Sequence, residues 1–326
     1  MVKMTYMDAA IRAVSEEMNR DKTVWALGED LGRGGVFGQY RGLEDEFGPK
    51  RIVSTPISEA AIMGAAVGAA MTETRPIVEM RFADFALCAT DELLNQAAKA
   101  RFMFGGQTKV PMTVRMPVGM WRSSAAQHSQ SLEALYTHIP GLVVVMPSTP
   151  ADNYGLLKAA IRSDDPVVFL EHKDCWALEG DVPEGDEVLP LGVARTVREG
   201  SDVTIVSWSK TVLQVEAVAA ELADEGISAE VIDLRTLWPW DKDTVLASVR
   251  KTGRLVVAHE AVRAGGFGGE IAATVAERLF SEMKAPVRRL GSPRTLIGYA
   301  PTLENETRIS DDMIKSAVRE TVAYKA

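Results

Sequence analysis

The sequence predicts an α/β protein built from two doubly wound domains. Short β-rich runs alternate with helical stretches along the chain, which is typical of a largely parallel sheet covered by helices on both faces. The length of 326 residues is sufficient for two hydrophobic cores. Aromatic residues make up only 6% of the chain, which favours helix-rich packing over a sandwich or barrel of many short aromatic strands.

The first domain begins with a helix, because apolar residues recur at helical spacing after Thr5, a suitable N-cap. Strands and helices then alternate. In chain order we predict strand 23–27, helix 60–71, strand 76–80, helix 85–100, strand 112–115, helix 129–137, strand 142–145, helix 151–161 and strand 167–170.

The periodicity stops between Glu171 and Ser201, where acidic residues, Gly and Pro are frequent, as in a connector. We place the domain boundary there and predict a first domain over 1–185 and a smaller one over 186–326. The alternation then resumes. In chain order we predict strand 203–206, helix 211–224, strand 229–232, helix 243–251, strand 255–258, helix 270–280, strand 287–290 and helix 311–322.

Charge and cysteine content exclude several classes of function. The chain carries 36 basic and 45 acidic residues, a net charge of −9, without a basic cluster, so we expect no nucleic-acid partner. Cys88 and Cys175 form no CxxC motif, which argues against a disulfide framework or a zinc site. The apolar stretch 60–71 is shorter than the about 20 residues of a membrane span, and the N-terminus resembles no targeting signal. We therefore expect a cytoplasmic protein without membrane contact.

The glycine motifs do not match nucleotide-binding fingerprints. In two places a G-x-G-x-x-G pattern fails at its third glycine, where Phe37 and Ile271 stand, and no G-x-x-x-x-G-K-S/T motif is present. The loop 264–269, AGGFGG, lies between a predicted strand and a predicted helix. Its N–H groups could bind an anion, or its glycines could serve a tight turn and close packing.

Four segments together carry a family resemblance: TPISEAA (55–61), 81–106, 125–173 and VIDLRTLWPWD (231–241). They resemble the β subunit of the thiamine diphosphate-dependent first component of 2-oxo acid dehydrogenase complexes, a group that acts on pyruvate, branched-chain 2-oxo acids or acetoin. The resemblance covers nearly the whole chain. The motifs NQAAKARFMFGG, QHSQSLEALYTHIPGL and FLEHK are most similar to the acetoin and pyruvate types, which stay as alternatives.

The resemblance implies an N-terminal pyrimidine-binding domain of the thiamine diphosphate fold and a C-terminal transketolase-like domain. It also implies an α2β2 heterotetramer in which each cofactor is held between an α and a β chain. In this family the α subunit holds Mg²⁺ and the diphosphate through a GDG motif, for which this chain offers only Gly28-Glu29-Asp30, in the wrong order. The implied acyl acceptor is a lipoyl group on an acyltransferase core.

The resemblance assigns the catalytic carboxylate to Glu59, which would hydrogen-bond to the aminopyrimidine ring nitrogen. Ile57 and the alanine-rich helix would supply an apolar setting in which carboxylate and ring share a proton. Phe85 matches a position whose ring packs on the aminopyrimidine, whereas Phe82 is expected in the core. Cys88 stands where pyruvate-type relatives can carry a polar side chain. Read without the family, Glu59 is an ordinary first-turn carboxylate stabilised by the helix dipole.

The resemblance also gives His128 a role facing the active site, in substrate binding or acyl transfer to the lipoyl group, against the alternative of a capping residue. We predict His138 to be a helix-end residue and His259 to be structural or interfacial. The turn at 160–166 resembles a segment that binds a monovalent cation such as K⁺ through backbone carbonyls, with Ala160, Ile161 and Asp165 as candidate ligands.

Two other functions compete with this interpretation. A split transketolase-like subunit would need basic residues for a sugar phosphate, and Arg115 and Arg122 are the nearest candidates. A catalytically inactive assembly subunit would need neither carboxylate, aromatic ring nor imidazole. The presence of Glu59, Phe85 and His128 together argues against it.

Overall fold

The computed structural model describes residues Met1–Lys325, which divide into two compact units. The first unit comprises Met1–Val118 and Leu135–Leu191, and the second comprises Gly119–Ala134 and the chain from Gly192 onward. We predicted a single boundary after residue 185. Most of the segment Gly119–Ala134 shows no regular periodicity, and its membership of the second unit depends on contacts that sequence patterns do not reveal.

The first unit is built on a parallel sheet with the strand order β6-β7-β5-β4-β2-β3, beside an antiparallel pair formed by β1 and β8. The strands are β1 (Val2–Thr5), β2 (Val24–Glu29), β3 (Ile52–Thr55), β4 (Arg75–Glu79), β5 (Thr113–Val118), β6 (Val143–Val145), β7 (Val167–His172) and β8 (Glu179–Val182). Glu29 pairs in register with Thr55, and Gly28 pairs with Glu79. The carboxyl ends of these strands therefore meet at one edge.

The α-helices that precede the predicted connector alternate with these strands. They are α1 (Tyr6–Arg20), α2 (Leu43–Phe47), α3 (Glu59–Ala70), α4 (Ala98–Met103), α5 (Glu133–Thr137) and α6 (Pro150–Arg162). Thr5 caps α1 by accepting from the Asp8 N–H, as the sequence predicts. The buried face of α1, which includes Ala9, Ala13 and Met18, lies in the core of the sheet.

Two predicted helices differ from the structure. The stretch 85–100 contains a 3₁₀ turn at Phe85–Ala89, a π-helical turn at Glu92–Ala97 and then α4. The predicted helix 129–137 is shorter in the structure, where only α5 (Glu133–Thr137) is helical. The reason is visible in its first residues: the Gln130 carbonyl accepts from the Gly119 N–H, and the Ser131 hydroxyl donates to Glu260. These groups bond to distant parts of the chain instead of to a helix.

The second unit contains a sheet with the order β14-β13-β10-β11-β9, in which β10 is parallel to β11 and β13, and β9 is antiparallel to β11. The strands in this part of the chain are β9 (Arg195–Arg198), β10 (Val203–Ser207), β11 (Ala229–Asp233), β12 (Thr236–Trp238), β13 (Leu255–Val262) and β14 (Arg288–Ser292), of which β12 is not a member of this sheet. Its helices are α7 (Lys210–Asp224), α8 (Lys242–Thr252), α9 (Gly268–Leu279), α10 (Pro301–Thr307) and α11 (Asp311–Ala323). The predicted fold class is confirmed, although β8 and β9 lie in the stretch predicted as a connector.

A membrane span would need a long and apolar helix, and none of the helices within Met1–Lys325 meets that requirement.

Candidate active site

The carboxyl edge of the first sheet carries Glu59, Ile57 and Phe85, the cofactor-binding residues predicted in that unit. Glu29 ends β2, and Thr55 ends β3 and leads through a short turn to Glu59, the first residue of α3. Glu79 ends β4 and precedes the segment that contains Phe85. Open α/β sheets bind their ligands outside the carboxyl ends of the strands, so this edge is the candidate site.

Glu59 is half-buried in the first turn of α3 and is electrostatically coupled to Glu29. Burial raises the pKa of Glu29, the Arg81 guanidinium opposes the rise, and the Glu59 charge adds to it. Arg81 Nη1 lies 3.3 Å from Glu29 Oε2. Ile57 is 72% exposed. The apolar setting that we predicted for Glu59 is therefore not provided by Ile57 within this chain alone.

Aromatic rings line the segment after β4. Phe82 is buried and its ring centroid lies 5.3 Å from that of Phe85, edge to face. Phe37 packs on the other side of Phe82 at 5.6 Å, and Lys173 Nζ lies 4.9 Å from the Phe82 ring centre. Phe85 stays half-buried at the end of this row. The row gives Phe85 a fixed orientation while leaving part of its ring accessible to a ligand.

A buried ionic cluster that the sequence did not predict lies in the same sheet. Arg115, on β5, is 1% exposed and donates to Glu171 Oε2 through Nε at 2.9 Å and Nη2 at 2.7 Å. Its Nη1 lies 3.7 Å from Glu79 Oε2. Gln39 Nε2 donates to Glu79 Oε1 at 3.2 Å, and Asn153 Nδ2 donates to Glu171 Oε1 at 3.1 Å. The sequence signal that could have indicated this cluster is a charged residue in each of three apolar strands, at Glu79, Arg115 and Glu171.

The cluster changes the interpretation of Arg115. We had named it as a candidate for binding a sugar phosphate, but its guanidinium is buried and paired with carboxylates, so it is not available to a ligand. Glu79 is the member of the cluster whose negative charge is least well compensated. Burial raises its pKa to about 7, and the nearby Arg115 only partly opposes that rise.

The variant Glu79→Gln is expected to gain stability relative to the wild type as the pH rises. The native Glu79 pKa of about 7 lies above its ordinary value of 4.5. Between these values the native state holds a proton that the unfolded chain has released, so the wild type loses stability as pH rises through this window. The variant lacks this loss. Thermal midpoints measured at about pH 5 and about pH 8 should show the variant gaining at the higher pH; an equal difference at both would contradict the shifted pKa.

His128 lies in the segment Gly119–Ala134 of the second unit and is half-buried. The segment is irregular up to the start of α5, and three of its non-glycine residues have positive φ angles: Arg122 (47°), Ser123 (58°) and Ala125 (63°). Of the predicted site residues, the structure thus brings Glu59, Ile57 and Phe85 to the edge of the first sheet and places His128 on a strained loop of the second unit.

His259 lies within β13, three residues before its end, is fully buried and stacks on Trp208 with ring centroids 5.0 Å apart. A Cβ added at Gly266 would come within 2.8 Å of His259 Cε1, and one at Gly268 within 2.9 Å of Cδ2. The glycines of the AGGFGG loop therefore make room for the imidazole, which supports the packing alternative over an anion cradle. Burial lowers the pKa of His259 to about 4, as suits a neutral core histidine.

Two arginines bind groups of the turn that is predicted to bind a monovalent cation. The Ala160 carbonyl accepts from the Ser163 N–H, and the Ile161 carbonyl accepts from Arg75 Nη1 at 3.2 Å. The Asp165 carboxylate pairs with Arg101 at 2.6 Å. A cation at Ile161 would face the Arg75 charge, and the cation site stays a prediction. Residues 1–325 contain no group of three or more His, Cys, Asp or Glu side chains that could hold a metal ion.

Comparison with known proteins identifies two family matches. Residues 2–176 match the pyrimidine binding domain of transketolase, and residues 192–314 match the transketolase C-terminal domain. The chain is similar over its length to a solved structure titled as a split gene transketolase, inactive β4 tetramer, with a TM-score of 0.79, 23% identity and 99% of each chain covered. At that identity the likeness concerns the fold.

Curated relatives are more similar. The 2-oxoisovalerate dehydrogenase subunit beta of Bacillus subtilis is 43% identical, over 99% of this chain and 100% of its own. The acetoin:2,6-dichlorophenolindophenol oxidoreductase subunit beta of Cupriavidus necator is 46% identical, over 98% of each chain. The pyruvate dehydrogenase E1 component subunit beta of Rhizobium meliloti is 43% identical, over 100% of this chain and 71% of its own.

Proposed function

The chain belongs to the β subunits of the thiamine diphosphate-dependent 2-oxo acid and acetoin dehydrogenases, and we propose that it forms the pyrimidine side of an active site completed by an α subunit. The predicted family is confirmed. The observation that carries the proposal is Glu59 at the start of α3, a half-buried carboxylate at the carboxyl edge of a sheet that matches the pyrimidine binding domain.

The residues at this edge fit a polar heteroaromatic ring. Glu59 offers a carboxylate, Phe85 offers an aromatic face, and the Thr55 hydroxyl is buried without a hydrogen-bond partner among the described residues. Thiamine diphosphate, when bound, supplies an electron sink for cleavage of a bond next to a carbonyl group. Glu59 holds or moves the proton at the pyrimidine ring nitrogen, and Phe85 fixes the orientation of the ring by stacking.

We propose that the complex decarboxylates a 2-oxo acid or cleaves acetoin and passes the acyl group to a lipoyl group on an acyltransferase core. The relatives named for 2-oxoisovalerate, acetoin and pyruvate support this class of substrate about equally, at 43%, 46% and 43% identity. His128 would act in substrate binding or in the acyl transfer to lipoyl. Mg²⁺ with the diphosphate would be held mainly by the α subunit in an α2β2 assembly.

Calorimetric titration of thiamine diphosphate with Mg²⁺ tests the half-site. We expect saturable binding to the chain co-purified with its α subunit and none to this chain alone, because the residues proposed here would hold only the pyrimidine side of the cofactor. Tight binding to the isolated chain would contradict the half-site and favour the split transketolase alternative.

Repeating the titration with K⁺ replaced by tetramethylammonium tests the proposal that Ala160, Ile161 and Asp165 bind a monovalent cation. Unchanged binding of the cofactor would count against that proposal.

A further inference from the structure

The segment Gly119–Ala134, called the His128 segment below, is held in a costly conformation. Arg122, Ser123 and Ala125 all have left-handed φ angles, of 47°, 58° and 63°. Residues with side chains rarely adopt this region, and such conformations persist only where the surroundings enforce them. The segment therefore requires partners that hold its backbone, and the second unit provides them.

Two carboxylates hold the backbone of this segment by accepting from its N–H groups. Glu304 Oε2, on α10, accepts from the Ser123 N–H at 2.9 Å. Glu260 Oε1, on β13, accepts from the Met120 N–H at 2.8 Å and from the Ser131 hydroxyl at 3.3 Å. Glu304 is 5% exposed, so its hydrogen bond to the strained Ser123 is shielded from water.

Arg308 joins these carboxylates into one unit. Its Nη2 donates to Glu304 Oε1 at 2.7 Å and to the Met120 carbonyl at 2.9 Å, and its Nη1 lies 3.6 Å from Glu260 Oε2. A guanidinium between two carboxylates offsets the cost of burying them and fixes their orientation. We call Glu260, Arg308 and Glu304 the clamp.

The other end of the segment has a second anchor, besides the hydrogen bond from Ser131 to Glu260. Glu133 Oε1 accepts from Trp208 Nε1 at 3.1 Å, and Trp208 is itself stacked on the buried His259. His128 lies between this anchor and the clamp. The part of the segment that carries the imidazole is therefore fixed on both sides by residues of the second unit.

We propose that Glu260, Arg308 and Glu304 are positioning residues that hold the His128 segment in the strained conformation that presents the His128 imidazole for acyl transfer. This inference rests on the proposed function for the role of His128. It gives the second unit a part in the chemistry through His128, whereas the sequence predicts only a structural or interfacial role for the other histidine of that unit, His259.

The first test measures the segment and needs no activity. In the complex of this chain with its α subunit, Glu304→Ala is expected to increase hydrogen exchange of peptides covering the His128 segment about tenfold, because Ser123 loses its acceptor. The matched control is Glu225→Ala, which breaks a bidentate pair with Arg319 in the same unit, away from the segment. Unchanged exchange in Glu304→Ala would overturn the clamp. If that variant does not fold, Glu304→Gln, which keeps one acceptor oxygen, should show an intermediate increase, and no increase there would equally overturn it.

The second test asks whether the clamp acts through His128. We expect Glu304→Ala and His128→Ala each to slow acylation of a lipoyl domain, and the double variant to be no slower than His128→Ala within about twofold. Losses that multiply would show that the clamp does not work by presenting His128. Wild-type acylation by His128→Ala would refute the proposed role of that histidine, and the exchange measurement would still decide whether the clamp holds the segment.

Discussion

Replacing Glu59 by Gln is expected to lower the turnover of the assembled complex by about 10²- to 10⁴-fold, the range that general acid–base groups contribute. The amide has nearly the same shape and still accepts a hydrogen bond, but it cannot hold or move a proton at the pyrimidine nitrogen. Glu59 is half-buried in the first turn of α3, where the interaction of its negative charge with the helix dipole stabilises the helix by about 0.3–1 kcal/mol. The assembly should therefore stay folded.

A matched variant separates the chemical role of Glu59 from its place in a helix. Glu270 is also a carboxylate in a first turn, that of α9, and is exposed. Glu270→Gln removes a similar dipole interaction and should keep full turnover. Turnover and thermal midpoint are measured for both variants. Wild-type activity in Glu59→Gln, or an equal loss in Glu270→Gln, would contradict the catalytic role of Glu59.

The sequence predicted those features that depend on local patterns. Strand β4 and helix α3 were placed within one residue of their observed ends, because the apolar run of the strand, the turn at TPIS and the small-residue run after it are local signals. Glu59 was predicted as a site residue through its motif, and its role stays a proposal. The same local reasoning predicted that Ile57 helps to give Glu59 an apolar setting, whereas the Ile57 side chain is exposed in this chain.

Features that depend on distant contacts could not be predicted. The His128 segment joins the second unit because Glu260 and Glu304 bind its N–H groups from more than a hundred residues along the chain. The acidic residues of this region gave no sign of that, since a lone glutamate is usually a solvated surface charge. Arg115 was misjudged for the same reason: its burial follows from the position of β5 inside the sheet and from a carboxylate on the neighbouring strand β7.

Arg115→Met is expected to destabilise the protein by about 3–5 kcal/mol, the cost of leaving buried carboxylates without their counter-charge. Arg115 makes two hydrogen bonds to Glu171 and is the nearest positive charge to Glu79. Methionine fills much of the volume, so the loss comes from the charge more than from a cavity. Thermal unfolding should shift down by about 6–20 °C, taking about 2–4 °C per kcal/mol for a unit of this size.

Two further variants identify the uncompensated charge as the cause. Arg319→Met breaks the exposed pair with Glu225 and should leave the thermal midpoint almost unchanged, because solvent screens exposed ion pairs. Adding Glu171→Gln to Arg115→Met removes one stranded charge while keeping an acceptor for Asn153, so part of the loss should be recovered. The deficit should also shrink at acidic pH, because the Glu79 pKa of about 7 lets that carboxyl bind a proton there. A loss that is the same in the double variant and at every pH would mean that packing, and not charge, makes Arg115 necessary.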